Sequence, residues 1–202
     1  GKPIYIVTTH VHPEHDLGAH AFPKDAKMIR SKDQEADIAV SGMRLAEMFA
    51  GRSELNKQLL EGATYRAADI EFEKDYTLDL GGVTAKITAM GLNHTLGDTV
   101  VFVEGVLFSG DLVEYGATPY CGDAHFTDWP GTLDRLAALG PQALVPGRGE
   151  ALTTPEQVGE GINETREFLE DVFRIAKAGV AADREIGFVR ERLQKEFEAK
   201  KY

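Results

Sequence analysis

The sequence predicts an α/β fold, and three observations carry the prediction. Residues 4–9, Ile-Tyr-Ile-Val-Thr-Thr, are a β-branched and aromatic run that stops at a cluster of histidines and a proline. Between residues 70 and 109, four strand-like runs follow one another around glycine turns. Tracts with the 3.6-residue period of helices lie between these β regions, across residues 38–59, and again after residue 129.

Taken in order, residues 4–9 read as a buried strand, followed by a helix start near residues 16–20 and a second strand around 26–29. A long helical tract then runs through Ile38, Leu45, Met48, Phe49, Leu55 and Leu59, with Gly51 as its break. From residue 70 to 90 the pattern turns to strands about Gly81-Gly82. Residues 99–103 pair through Glu104-Gly105 with residues 106–109 as a hairpin. A helix at 129–139, a strand at 143–145 and two helices, 155–177 and about 184–200, complete the chain. No internal repeat or low-complexity linker interrupts it, and the expected division is a body of residues 1–154 with C-terminal helices in 155–202. The apolar stripe of those helices, Ile162, Leu169, Phe173 and Ile175, suits either a cover on the body or the arm of a homo-oligomer.

The 202 residues carry 22 Lys and Arg against 33 Asp and Glu, a formal charge of −11. That sign argues against nucleic-acid or anionic-membrane binding, because such proteins present cationic fields to phosphates. No run of 18 apolar residues is present and residues 1–5 do not read as a signal peptide, so the expectation is a soluble chain acting on a small molecule. The single cysteine, Cys121, excludes an internal disulfide framework and leaves the compartment open between cytoplasm and periplasm. Residues 155–202 hold 9 basic and 11 acidic side chains, so the acidic excess lies in the body, with the histidines. Acidic surroundings suit a cation.

The candidate chemistry is concentrated at His10, His12, Glu14 and His15, directly after a strand end. In an extended segment alternate side chains share a face, so His10 and His12 can meet on one ion, and the turn at Pro13 redirects Glu14 and His15 to a neighbouring position. His94 stands in the polar turn 91–98, and Asp111 follows the strand of residues 106–109. Each is weak alone, since His before Thr can merely cap and Asp after Gly is commonly a turn residue.

Together, the order His-x-His-x-acid-His, then His-Thr-x-Gly-Asp, then Ser-Gly-Asp resembles the metallo-β-lactamase fold superfamily of metallohydrolases, over residues 2–149. The resemblance implies a four-layer αβ/βα sandwich with a metal site at one edge. It also implies His10, His12 and His94 as ligands of a first zinc, Asp111 as a bridging carboxylate, and Glu14 and His15 facing a second metal. The loop 112–129 resembles that of the sulfur-oxidation and quinoprotein-associated hydrolases more than that of glyoxalase II. Three departures stand out. Glu14 replaces the usual Asp. Pro146-Gly147-Arg148-Gly149 puts Arg148 where the family has its last metal histidine, and a guanidinium has no lone pair to donate. The histidine motif begins at residue 10, where the family has several preceding strands, so the sandwich is expected to lack its N-terminal strands in this chain, either because residues before the first are missing or because another chain completes it.

The implied activity is that of a zinc-dependent hydrolase cleaving an ester, thioester, lactone or lactam, with one zinc bound well and the second weak or absent. Three neutral imidazoles leave the ion its full charge, which lowers the pKa of a bound water toward ~7. Glu14 or Asp111 can take that water's proton. Arg148 either binds substrate or forms a structural salt bridge to Glu14 or Asp111. His125 lies in an aromatic loop with Tyr115, Tyr120, Phe126 and Trp129, as a second candidate for substrate binding or as part of a loop folded on the body. His20 reads as a packing or capping residue, and nothing marks Cys121 as a nucleophile. Two alternatives stay open: a mononuclear iron dioxygenase of the same fold, and a non-catalytic binding module in which Arg148 and Glu14 lock together.

Overall fold

The computed structural model describes residues 2–200, with side chains through residue 198. Strand β1 (Tyr5–Val7) is followed by a one-turn helix α1 (Pro13–Asp16), which runs into a 3-10 turn, Leu17–Ala21. Strand β2 (Lys27–Ser31) leads through α2 (Lys32–Asp37), a π-helical turn (Ile38–Gly42), α3 (Met43–Ala50) and α4 (Glu54–Leu59) to β3 (Ile70–Phe72). Strands β4 (Asp75–Asp79), β5 (Thr84–Gly91), β6 (Asp98–Val103) and β7 (Val106–Glu114) then form an antiparallel meander. Helix α5 (Trp129–Ala138) crosses over to β8 (Ala143–Arg148), which pairs parallel with β7, and α6 (Pro155–Ala181) and α7 (Ile186–Lys200) close the chain.

The strands make two sheets. One is parallel, in the order β1-β2-β3, and the other has the order β4-β5-β6-β7-β8. Parallel neighbours need crossovers, and the helices supply them. The sheets face each other through Ile29 and Phe72 on one side and Leu78, Ala85 and Ile87 on the other. On the far face of the larger sheet, Leu107, Leu112, Val113 and Leu144 pack against Trp129, Leu133 and Leu136 of α5 and Val158, Ile162 and Leu169 of α6. Ala19 of the 3-10 turn covers Ile6 and Met28 on the outside of the smaller sheet. Helices therefore flank two stacked sheets, which is the expected αβ/βα sandwich. Strand β1 is an edge strand, and beside it an apolar cleft of about 430 Å³ opens between the sheets, walled by Tyr5, Val7, Ile87, Val101 and Phe108. Among the described residues no helix is long and apolar enough to cross a membrane.

Several expectations need correction. The first strand is shorter than residues 4–9, and the helix expected near 16–20 begins at Pro13, whose fixed φ suits a first helical turn, leaving 17–21 as a 3-10 turn. The apolar stripe of residues 38–59 is not one face. The π-helical turn shifts the phase before α3 and the break at Gly51 separates α4 from it; along the tract Leu45 is buried while Met48, Leu55 and Leu59 face solvent. Gly51 does break the tract, as expected. The Glu104-Gly105 hairpin forms with φ of 47° and 81° at its two turn residues, the geometry that matches strand twist. Asp111 does not follow the end of its strand. Strand β7 continues to Glu114, with register shifts on either side of Gly110. Such irregularities re-aim side chains. At the C-terminus Ile162, Leu169 and Ile175 are buried, whereas Phe173 is exposed at its edge and stacks on Phe126. That places α6 as a cover on the body.

Candidate metal centre

The segment after β1 is held by one backbone bond, from Thr99 N to the Thr9 carbonyl at 2.8 Å, and by side chains. Thr8 Oγ1 donates to Asp16 Oδ2 at 2.7 Å, and Gln34 Nε2 donates to Thr8 Oγ1 at 2.8 Å. Arg30 clamps Asp16 with Nη2 at 2.8 and 2.9 Å from the two carboxylate oxygens, both side chains fully buried. Tyr65 donates its hydroxyl to the Val11 carbonyl at 2.9 Å. These bonds position His10 and His12 on one side and the first turn of α1, with Glu14 and His15, on the other.

His94 is set by a second device. Asp98, itself buried, accepts from Thr95 N at 3.0 Å and Thr95 Oγ1 at 2.9 Å, closing the turn. Burial pushes the Asp98 carboxyl up to about 7, against the pull of the amides and hydroxyl that bond it. Gly97 is obligatory here, because a Cβ on it would lie 2.5 Å from the Gln34 backbone. The His-Thr-x-Gly-Asp spacing is thus the requirement of a turn jammed against α2.

Four buried side chains meet at the edge of the sandwich. His12 Nδ1 is 3.1 Å from both His10 Nε2 and His94 Nε2, and Asp111 Oδ2 is 3.4 Å from His94 Nε2 and 3.7 Å from His10 Nε2. One ligating atom from each of the four residues falls within a span of 4.8 Å. Burial, reinforced by the neighbouring imidazoles, holds His10 far below its ordinary pKa, and burial lowers His94 to about 3. Both rings are therefore neutral. Ligands at 2.0–2.1 Å from a tetrahedral ion lie about 3.3 Å apart, so the 3.1 Å spacings fit a common metal. The outer nitrogens of two of the three rings are held as well: His10 Nδ1 is 3.0 Å from Thr9 Oγ1, and His12 Nε2 is 3.2 Å from Asp123 Oδ2, while His94 Nδ1 is buried without a partner. A carboxylate behind a ligating imidazole fixes its tautomer and orientation. Asp123→Asn is expected to weaken metal affinity about 10- to 100-fold without loss of fold, measured by chelator competition.

The other oxygen of Asp111 looks elsewhere. Its Oδ1 is buried 3.2 Å from His15 Nε2, an ion-pair separation to the fifth side chain of the cluster. Glu14 turns away from this pair and bonds Arg148, whose Nη2 is also 3.4 Å from Asp111 Oδ2 and whose Nε is 3.8 Å from Glu114 Oε2. Burial works to raise the Asp111 carboxyl, but His15, His94 and Arg148 outweigh it and hold it below the usual range. Glu114 goes the other way, pushed up to about 8 by burial and by Asp111.

Of the residues singled out in the sequence, His10, His12, His94 and Asp111 converge, His15 adjoins them, and Glu14 and Arg148 pair with each other. His125 offers its backbone: its amide donates to the Asn93 carbonyl at 2.6 Å and its carbonyl caps the start of α5. The recess above the histidines, about 70 Å³, is lined by His12, Glu14, Phe49, Arg52, Tyr120 and Arg148, and His125 is not among them. Of the loop aromatics only Tyr120 faces it, with its ring 5.4 Å from His12, while Trp129 is buried and donates Nε1 to the Leu112 carbonyl. His20 bonds the Leu17 carbonyl of its own turn. Cys121 is held back as a nucleophile, since burial and then Glu114 push its thiol up to about 12. Sequence reasoning passed over Asp123 and Arg52. Nothing local distinguishes an Asp after Gly in a loop, or an Arg after Gly at a helix break.

A family model described as the metallo-beta-lactamase superfamily matches residues 1–148. The chain is 33% identical to a metallo-beta-lactamase type 2 from Bacteroides fragilis over 86 residues, 39% of this chain and 34% of that protein, so the match spans about a third of that relative. Among solved structures, a metallo-beta-lactamase from Pontibacter korlensis superposes with a TM-score of 0.60 at 22% identity, over 83% of this chain and 69% of that one. The stereoselective inverting sec-alkylsulfatase Pisa1 from Pseudomonas sp. does so with a TM-score of 0.67 at 15% identity, over 88% and 34%. FIM-1 from Pseudomonas aeruginosa in its mono-zinc form gives 0.59 at 19%, over 83% and 66%. At these identities the structural likeness speaks for the fold, and the family model extends it to the sequence. With the histidine and aspartate cluster at the sheet edge and a family match over most of its length, the chain belongs to the metallo-β-lactamase superfamily.

Proposed function

We propose that this protein is a zinc-dependent hydrolase of small-molecule esters, thioesters, lactones or lactams. The observation that carries the reading is the convergence of three imidazole nitrogens and the Asp111 carboxylate in a buried pocket. A donor set of nitrogen and carboxylate oxygen suits zinc, which at such sites supplies Lewis acidity and activates water near neutral pH. His10, His12 and His94 would hold such an ion, and Asp111, whose Oδ1 lies beside His15, would take up the proton of a water activated there. Arg148 lies beside Glu14 and Asp111, where a second metal would otherwise gather charge, so one zinc per chain is the expected complement. The mono-zinc form named for FIM-1 accords with such a centre in this fold.

The test is metal content by plasma mass spectrometry on protein purified without chelator, followed by hydrolysis assays at neutral pH. About one zinc per chain with turnover of one of the four substrate classes is the expected result. About two zincs would remove the role given to Arg148, and one iron would favour the mononuclear dioxygenase. The Arg148–Glu14 pair favours a second reading, a non-catalytic binding module. A folded chain that takes up no metal would overturn the hydrolase and leave that module, or a site lost by truncation.

A further inference from the structure

Helix α6 covers the body with one side and leaves the other open. Val158, Ile162 and Leu169 are buried in the core under the larger sheet, whereas Glu170, Phe173, Lys177 and Val180 are exposed. Those four stand three, four and three residues apart, the spacing that puts side chains on one side of a helix. The charge of α6 is divided along its length. Residues 155–171 hold six acidic side chains and one basic, and residues 172–181 hold two basic and none acidic. A helix dipole favours acids at the N-terminus and bases at the C-terminus, but its influence ends within the first and last turns. It accounts for Glu156 and leaves Glu160, Glu164, Glu167 and Glu170 unexplained, since like charges three or four residues apart destabilise a helix.

Two of the three bases are already engaged. Arg166 lies 2.6 Å from Asp134, and Arg174 lies 2.6 Å from Asp171 and 3.6 Å from Glu196. Glu170 and Lys177 have no oppositely charged partner within ion-pair distance among the described residues. Between them stands Phe173, 40% exposed and stacked on Phe126 with the ring centroids 6.1 Å apart, and Val180, 79% exposed, continues the apolar stripe two turns on. A basic partner would suit only the first half of this surface and an acidic one only the second. A reversed copy of the same helix suits both.

We propose that two copies of this chain associate through the open side of α6, antiparallel about a two-fold axis beside Phe173. Glu170 lies three residues before Phe173 and Lys177 four after it, so at ~1.5 Å per residue each is about 5 Å along the helix from the axis, and the partner's Lys177 comes level with Glu170. A two-fold interface uses the same patch on both subunits, which repeats the ion pair and brings the Phe173–Phe126 stacks together at the centre. Aromatic anchors inside a polar rim are the usual anatomy of a specific interface. Helix α6 lies beyond the residues matched by the family model, and the association depends neither on the metal nor on hydrolysis.

The experiment is sedimentation equilibrium of the full chain at about 1 to 100 μM, in low salt and in about 1 M salt. A mass of twice 22.1 kDa is expected in low salt. Its dissociation constant should be of micromolar order and weaken about tenfold in high salt. Lys177→Glu and Glu170→Lys each set like charges opposite one another twice across the axis, and each is expected to weaken association about 100-fold. The double variant, which exchanges the two charges, should return to within about threefold of the parent. Both positions are exposed, so the variants keep the fold, which circular dichroism checks. A parent chain that is monomeric at about 100 μM, single reversals that leave the dimer intact, or a double variant that stays monomeric would overturn the proposal.

Discussion

Replacing His94 with alanine is expected to weaken metal binding by roughly 100- to 1,000-fold, about a quarter of the ~10–16 kcal/mol that zinc supplies in small zinc-binding peptides. The size follows from its place. His94 is wholly buried, its Nε2 faces both His12 Nδ1 and Asp111, and its turn is closed by Asp98 rather than by the imidazole, so the backbone survives the change. Competition with a chromogenic chelator reads the affinity, and circular dichroism confirms the fold. A loss of less than about tenfold would show that His94 is not a ligand. Activity against any ester or lactam that the parent chain cleaves is expected to fall in parallel with zinc occupancy.

The largest expected effect on stability comes from Arg30→Ala, about 3–5 kcal/mol in urea denaturation. Arg30 is fully buried and holds Asp16, Glu35 and the Arg66 carbonyl at once. Its removal leaves the Asp16 carboxylate in the interior without a countercharge. Burial raises the pKa of that carboxyl, with Arg30 and the Thr8 hydroxyl opposing it. Without Arg30 the folded-state pKa rises further above the unfolded value, so the carboxyl's contribution falls as pH rises between the two and is restored on acidification. The deficit of the variant should therefore shrink at low pH. A pH-independent deficit would mean that lost packing, not an unpaired charge, is responsible. Because Asp16 closes the turn that carries Glu14 and His15, the same variant should also loosen the metal site.

How much of this was legible in the sequence depended on whether the cause was local. The hairpin at Glu104-Gly105 and the break at Gly51 are written in single residues with one conformational meaning, and both stand where expected. The order of histidines and aspartates was equally readable, because metal ligands must be particular residue types. The phase of residues 38–59 was not. A π-helical turn leaves no mark in composition, and together with the break at Gly51 it divides the tract into separate helices in which Leu45 is inside and Leu59 outside. The path of β7 past Asp111 depends on its pairing with β8, more than thirty residues away. Asp123 acquires its role only because the fold brings the loop before α5 up to His12. The two uses considered for Arg148 were likewise undecidable from spacing, since Glu14 lies 134 positions away in the chain.

The pairing of Arg148 with Glu14 and Asp111 also bears on how the protein matures. Carboxylates gathered for a cation repel one another while the cation is absent, and many small metallo-domains consequently stay unfolded until loaded. Here a permanent positive charge from the end of the last strand already sits among them. The chain can complete its sandwich first and acquire its ion afterwards. On the hydrolase reading proposed above, metal supply would then set how many folded molecules are loaded, and not how many fold.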